Sequence, residues 1–178
     1  FIGHQVSDAT MNDAVSNVGI GYVSLSALTN GDGNTAIGAE SAYALNTGSN
    51  NTIVGFQAGD AMTDGADNTI IGKSAFSAAN SGENYNTMIG MNAGLSIDHA
   101  DSDNNVIIGY NAGTGGGAAL KECVVIGVDA FNSTAANAQE GAVAIGREAL
   151  TSLTSGSNNL AIGYNAGKTL TTGAQNLA

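Results

Sequence analysis

Asn34-Thr35-Ala36-Ile37-Gly38, Asn51-Thr52-Ile53-Val54-Gly55 and Asn68-Thr69-Ile70-Ile71-Gly72 are three versions of one five-residue phrase, set 17 residues apart. Working outward from them, Ile (once Val) followed by Gly recurs ten times at near-regular spacing in 178 residues. The anchors are Ile2, Ile20, Ile37, Val54, Ile71, Ile89, Ile108, Ile126, Ile145 and Ile162, at intervals of 17 to 19. A unit this short cannot bury a core alone, so successive copies must stack, and the expected fold is a solenoid.

The phrase is short, β-branched and bounded by turn formers, which predicts a strand of about four or five residues in every repeat. The expected fold class is all-β: a parallel β-solenoid, or β-roll, of about ten coils. It forms a single repeat array over residues 1–178, with partial repeats at both ends, as in a piece of a longer filament.

Alignment on the anchor gives each position a character. Three residues before it stands Asn (Asn17, Asn34, Asn51, Asn68, Asn86, Asn105, Asn159), interrupted by Cys123 and Ala142. Stacked Asn side chains can hydrogen-bond from coil to coil. Four residues after the anchor the side chain is small, as at Ala58, Ala75, Ala93 and Ala112. Eight after it Leu28, Leu45, Met62, Ile97, Leu153 and Leu170 recur, with Ala79, Gly116 and Thr134 as smaller members. Gly21, Gly38, Gly55, Gly72, Gly90, Gly109, Gly127, Gly146 and Gly163 follow the anchors, where a sharp turn needs positive φ or close backbone approach. A second set, Gly31, Gly48, Gly65, Gly156 and Gly173, marks the other turn, and the extra residues of the longer repeats collect beside it in a surface loop.

Strand side chains alternate between faces, so the anchor shares one face with the Thr or Val two residues before it. The residue between them points the other way. Both faces are apolar, the mark of a strand covered on both sides. Ile20, Ile37, Val54, Ile71, Ile89, Ile108, Ile126, Ile145 and Ile162 are expected to form the structural core of the coil. The alternate column, Ala36, Ile53, Ile70, Met88, Ile107, Val125, Ala144 and Ala161, is expected to be a second face covered by neighbouring subunits.

Composition narrows the function. The net charge is −11, with Lys73, Lys121, Arg147 and Lys168 opposing fifteen carboxylates. Nucleic-acid binding needs clustered cations, so it is excluded, as is adsorption to anionic membranes. No apolar run is long enough to span a bilayer. Cys123 is the lone cysteine, read as a small buried hydrophobe, so no intrachain disulfide can form.

Enzyme chemistry is not expected, and no catalytic residue or cofactor is assigned. His4 and His99 lie far apart and read as solvated surface residues. Asp98, Asp101 and Asp103 share an inserted loop and are a weak Ca²⁺ candidate without the spacing of a helical calcium loop. Gly72-Lys73-Ser74 and Gly167-Lys168-Thr169 lack the first Gly of a phosphate loop, having Asp67 and Ile162 there. Asn50-Asn51-Thr52 and Asn132-Ser133-Thr134 match the glycosylation pattern and read as chance. Tyr22, Phe56, Tyr110 and Tyr164 recur just past the turn Gly, and are read as packing on neighbouring coils rather than as a sugar-stacking stripe.

Asn34-Thr35-Ala36-Ile37-Gly38 and Asn159-Leu160-Ala161-Ile162-Gly163-Tyr164-Asn165-Ala166-Gly167 resemble repeats of bacteriophage tail fibres, and are similar to those in the heads of trimeric autotransporter adhesins. The period here is longer than in the adhesin heads and closer to the phage repeats. The resemblance implies left-handed parallel β-rolls in a parallel homotrimer, with the alternate apolar column facing the threefold axis. It also implies a structural or adhesive fibre segment on a virion, or alternatively a bacterial surface adhesin or extracellular filament. Its partners would be further copies of itself and, through another region, a cell-surface receptor or glycan. A polysaccharide-cleaving tailspike would need clustered carboxylates along a groove. An ice-binding solenoid would need a displayed Thr array, whereas Thr35, Thr52, Thr69 and Thr87 share the face expected to be buried.

Overall fold

The computed structural model describes residues 2–7, 9–10, 12–116, 118–132 and 138–178. Eleven strands and no helix occur among them: β1 (Val18–Ile20), β2 (Thr35–Ile37), β3 (Thr52–Val54), β4 (Thr69–Ile71), β5 (Thr87–Ile89), β6 (Val106–Ile108), β7 (Leu120–Lys121), β8 (Val124–Ile126), β9 (Gln139–Glu140), β10 (Val143–Ile145) and β11 (Leu160–Ile162). Nine form one parallel sheet in the order β1-β2-β3-β4-β5-β6-β8-β10-β11, and β7 pairs with β9 in a second. Anchor lies over anchor throughout, as in Ile37 beside Val54 and Val54 beside Ile71. The chain is thus a parallel β-solenoid of about eight turns, with a sheet about 40 Å long. The first anchor, Ile2, adds only an isolated bridge to Ile20, and Leu177 adds another to Leu160.

The main-sheet strands are three residues long, shorter than expected, and hydrogen bonding explains why. From Asn34 to Asn105 the backbone N–H of the Asn donates to the side-chain Oδ1 of the Asn one coil earlier rather than to a strand carbonyl, as Asn51 does to Asn34 at 3.0 Å. That same Oδ1 accepts Asn51 Nδ2 at 3.0 Å, while Asn34 Nδ2 donates to the Gly48 carbonyl at 2.8 Å. The buried amide is fully paired, and the ladder repeats at Asn68, Asn86 and Asn105. In the two repeats where Cys123 and Ala142 replace the Asn, the segment just before them is held by the backbone pairing of β7 with β9 instead.

The core is the reverse of the one expected. Ala36, Ile53, Ile70, Met88, Ile107, Val125, Ala144 and Ala161 are completely buried inside the single chain. The expected core residues Ile20, Val54, Ile89, Ile108, Ile126 and Ile145 are only half-buried, while Ile37, Ile71 and Ile162 are exposed. The interior is one side chain thick, and the central strand residue fills it together with the residue five after the anchor. Their volumes compensate: Gly19 with Leu25, Ile53 with Gly59, Met88 with Gly94, Ile107 with Gly113, Ala144 with Leu150. A Cβ on Gly113 would lie 2.8 Å from Ile107 Cδ1, so a larger residue there would have to push the Ile107 side chain aside. The trade is not universal: Ala36 is paired with Ala42 and Ala161 with Gly167, while Phe131 stands beside Val125 and Phe76 beside Ile70, where Phe76 occupies space left by Gly94.

The second turn shows the same trade. A Cβ on Gly48 would lie 2.7 Å from Leu45 Cδ1, and one on Gly65 would lie 2.6 Å from Met62 Sδ. Where the facing residue shrinks to Ala79 or Gly116, the Gly gives way to the buried Glu83 or Leu120. Thr134, and with it the Asn132-Ser133-Thr134 pattern, lies outside the described residues.

Between strand and loop, left-handed residues alternate with others three and five positions past the anchor, and again four before the next one. Examples are Gln57, Asn92, Asn111 and Asn165; Phe76, Phe131 and Leu150; Asn50, Asn104 and Asn158. Alternation turns successive peptide groups along the stacking direction. Gln57 donates back to the Ala39 carbonyl at 3.0 Å, whereas Phe76 donates forward to that of Ala93 at 2.9 Å. Each such conformation costs about 1–2 kcal/mol for a residue that resists it, and Asn resists it less. Tyr85 (φ 59°, 61% exposed) holds the place that Asn50, Asn104 and Asn158 hold elsewhere. Tyr85→Asn is therefore expected to stabilise the chain by about 1 kcal/mol, read as a higher urea midpoint with unchanged slope. No shift in the midpoint would remove strain as the reason for Asn in this column.

Candidate functional site

The first and third residues of the nine main-sheet strands point outward, and every one is Ile, Val, Leu or Thr. Thr52 and Ile71 are exposed, and Thr35, Thr69 and Thr87 half-buried, so the Thr column is displayed rather than enclosed. The result is an uncharged, flat stripe two side chains wide, on the order of 400 Å². A typical monomer's largest exposed apolar patch is of about this size, and such patches are often functional.

The sequence-derived polar candidates do not converge. Asp98 and Asp101 are exposed, with Asp101 Oδ2 3.9 Å from His99 Nδ1. Asp103 is engaged elsewhere, its Oδ1 accepting the Asn84 N–H at 2.6 Å. Among the described residues no group of three His, Cys, Asp or Glu could hold a metal ion, so the weak Ca²⁺ candidate is not assembled. Cys123 is buried, and burial pushes its thiol up to about 11. It remains a thiol at neutral pH, unsuited to nucleophilic chemistry. Two of the four aromatics just past the turn Gly meet the neighbouring coil: His4 stacks on Tyr22 with centroids 5.7 Å apart, and Lys73 Nζ lies 6.0 Å over the Phe56 ring, while Tyr110 and Tyr164 are exposed.

Two features escaped the sequence reading. One is a groove of about 460 Å³ over the first coils, walled by Tyr22, Tyr43, Glu40 and Asp60. The other is Glu83, which is completely buried with neither carboxylate oxygen hydrogen-bonded. The signal for Glu83 was a charged residue at a second-turn Gly position, opposite the shrunken Ala79.

Burial pushes the Glu83 carboxyl up to about 7, with Asp98 and Asp64 adding repulsion. An acid raised in the folded state stabilises fully only below its unfolded value, near 4.5, and loses that contribution as pH rises through about 7. The loss is about 3 kcal/mol. Glu83→Gln is expected to flatten this part of the stability profile between pH 4.5 and 8, measured by urea unfolding. Parallel profiles for both proteins would show that Glu83 is hydrated rather than sealed in.

The chain matches no protein-family model, and comparison with curated proteins and with solved structures finds no match either.

Proposed function

We propose that this chain is a shaft or head segment of an extracellular fibre, assembled as a parallel homotrimer and serving to present or form a host-attachment surface. The observation that carries the proposal is the outward stripe of Ile, Val, Leu and Thr along the whole main sheet. Three such stripes meeting on a common axis would bury the anchor residues, while each chain keeps its own core. The axial contact is therefore assigned to the anchor face, not to the alternate column expected from sequence. The acidic remainder keeps a long particle soluble and self-repelling. The repeat resemblance favours a phage tail fibre, with a bacterial surface adhesin or filament as the alternative. No catalytic role is proposed.

Light scattering over a range of concentrations tests this, with a mass of three chains expected. Ile71→Glu places a charge on the outer face without touching the buried column, so it is expected to yield folded monomers. A wild-type mass of one chain at every concentration would overturn the proposal. A second reading, ice binding, then gains from Thr35-Ala36-Ile37, Thr52-Ile53-Val54, Thr69-Ile70-Ile71 and Thr87-Met88-Ile89 facing outward. It ranks lower because Val and Leu replace Thr from Val106 onward. Thermal hysteresis of the monomer decides it.

A further inference from the structure

We propose that the groove over the first coils binds a small organic cation bearing an alkylated ammonium group, held between Tyr22 and Tyr43 and neutralised by Glu40 and Asp60. The groove lies on the turn segments rather than the strands, so it stays open whether or not the outward sheet face is covered. Its volume, about 460 Å³, falls in the range of small-molecule sites.

Three observations fix the chemistry. The aromatic walls are presented rather than packed away, Tyr22 being 52% and Tyr43 49% exposed. Aromatic faces attract cations, ammonium groups with alkyl shells above all, because desolvating them is easy. The Lys73 ammonium over Phe56 shows the same pairing within the chain.

The second observation is uncompensated charge. No Lys or Arg occurs before Lys73, while residues 1–72 carry Asp8, Asp13, Asp32, Glu40, Asp60, Asp64 and Asp67. The groove holds two of these carboxylates. Gln57 Nε2 donates to Glu40 Oε2 at 2.8 Å and fixes that side chain in place. Asp60 Oδ1 is shut off from solvent with no hydrogen-bond partner. Burial raises the Asp60 carboxyl above its ordinary value and the Glu40 charge adds to this, against backbone hydrogen bonds at Asp60 and Ala61 that lower it.

The third is what the lining cannot serve. A neutral sugar would find donors in Gln5, Ser26 and the two Tyr hydroxyls, but it would leave the paired carboxylates without a counter-charge. A hard divalent cation needs six or more oxygens, and no cluster of three ligating side chains occurs among the described residues.

Choline and its uncharged isostere 3,3-dimethylbutan-1-ol, titrated against the intact chain by NMR, test the assignment. Choline is expected to shift the Tyr22 and Tyr43 ring signals at least tenfold more strongly at equal concentration, and increasingly so at low salt. Tyr22→Ala and Tyr43→Ala should each weaken binding about fivefold, and Glu40→Gln with Asp60→Asn should abolish it. The melting temperature reports whether each variant remains folded. Phosphocholine and trimethyl-lysine serve as source probes, and binding of either with the same dependence on Tyr43 supports the site. Equal response to choline and its isostere, or a response to glucose or Ca²⁺ alone, would overturn it.

Discussion

Gly72→Ala is expected to cost about 4 kcal/mol and to part the solenoid at its middle. Gly72 sits at φ +142°, a region closed to residues with a Cβ, and occupying it costs about 1–3 kcal/mol. The steric term is independent. A Cβ there would lie 2.5 Å from the Gly90 carbonyl carbon and overlap its oxygen. Neither coil can retreat, because the Gly72 N–H donates to Val54 at 2.8 Å and that of Gly90 to Ile71 at 2.8 Å. Overpacking of this kind costs about 1–3 kcal/mol more. In a stack held by nearest-neighbour contacts the damage is local, so hydrogen exchange should speed up around Gly72 and Gly90 before it does at the ends. The neighbouring Lys73→Ala, on an exposed side chain, serves as the control and is expected to change stability little. An unchanged urea midpoint in Gly72→Ala would mean that the coils are spaced more loosely than the structure shows.

Asn68→Ala is expected to have a comparable effect by a different route. The Asn68 Oδ1 accepts the Asn86 N–H at 2.9 Å, and its Nδ2 donates to the Glu83 carbonyl at 2.9 Å and to Asn51 Oδ1 at 3.1 Å. Truncation leaves the Asn86 N–H and the Glu83 carbonyl buried without these partners. At about 1–3 kcal/mol for each orphaned group, the loss is about 4 kcal/mol. Ala142 shows that an alanine can stand in this column, but there the strand β9 pairs with β7 and holds the turn by its own backbone. The coil of Asn68 has no such second sheet among the described residues. The measurement is the urea midpoint, with amide exchange at Asn86 as the local readout. Protection of that amide in the variant would show that water or a shifted carbonyl replaces the side chain.

Much of the molecule was legible in the chain because one chemical rule repeats at each anchor. The Asn ladder followed from seven Asn at one offset, since a stacked amide satisfies itself only if its neighbour is also an amide or another acceptor. The turn glycines followed from their position after a β-branched pair. The left-handed residues were partly legible: Asn92, Asn111 and Asn165 share one offset, and Asn50, Asn104 and Asn158 another. Val23 and Leu25 at related offsets hid the pattern, because the ladder imposes there a conformation that their side chains resist. The groove was not legible. Tyr22, Tyr43, Glu40 and Asp60 come from three repeats and, although Tyr43 and Asp60 share an offset, differ in chemistry there, so only the stacking of coils brings them to one wall.

By itself the sequence determined the period, the strand positions, the parallel in-register stacking and the presence of two apolar strand faces. Those are consequences of spacing and side-chain alternation, which need no partner to be read. Which face turns inward was decided only by the tertiary structure. Both columns are aliphatic, so hydrophobicity cannot rank them; what ranks them is how the central residue fits the coil around it. In three coils Gly59, Gly94 and Gly113 leave room for Ile53, Met88 and Ile107, and in two others Ile70 and Val125 are buried together with Phe76 and Phe131. The larger, nearly invariant Ile anchors remain outside, where nothing within the chain limits their size.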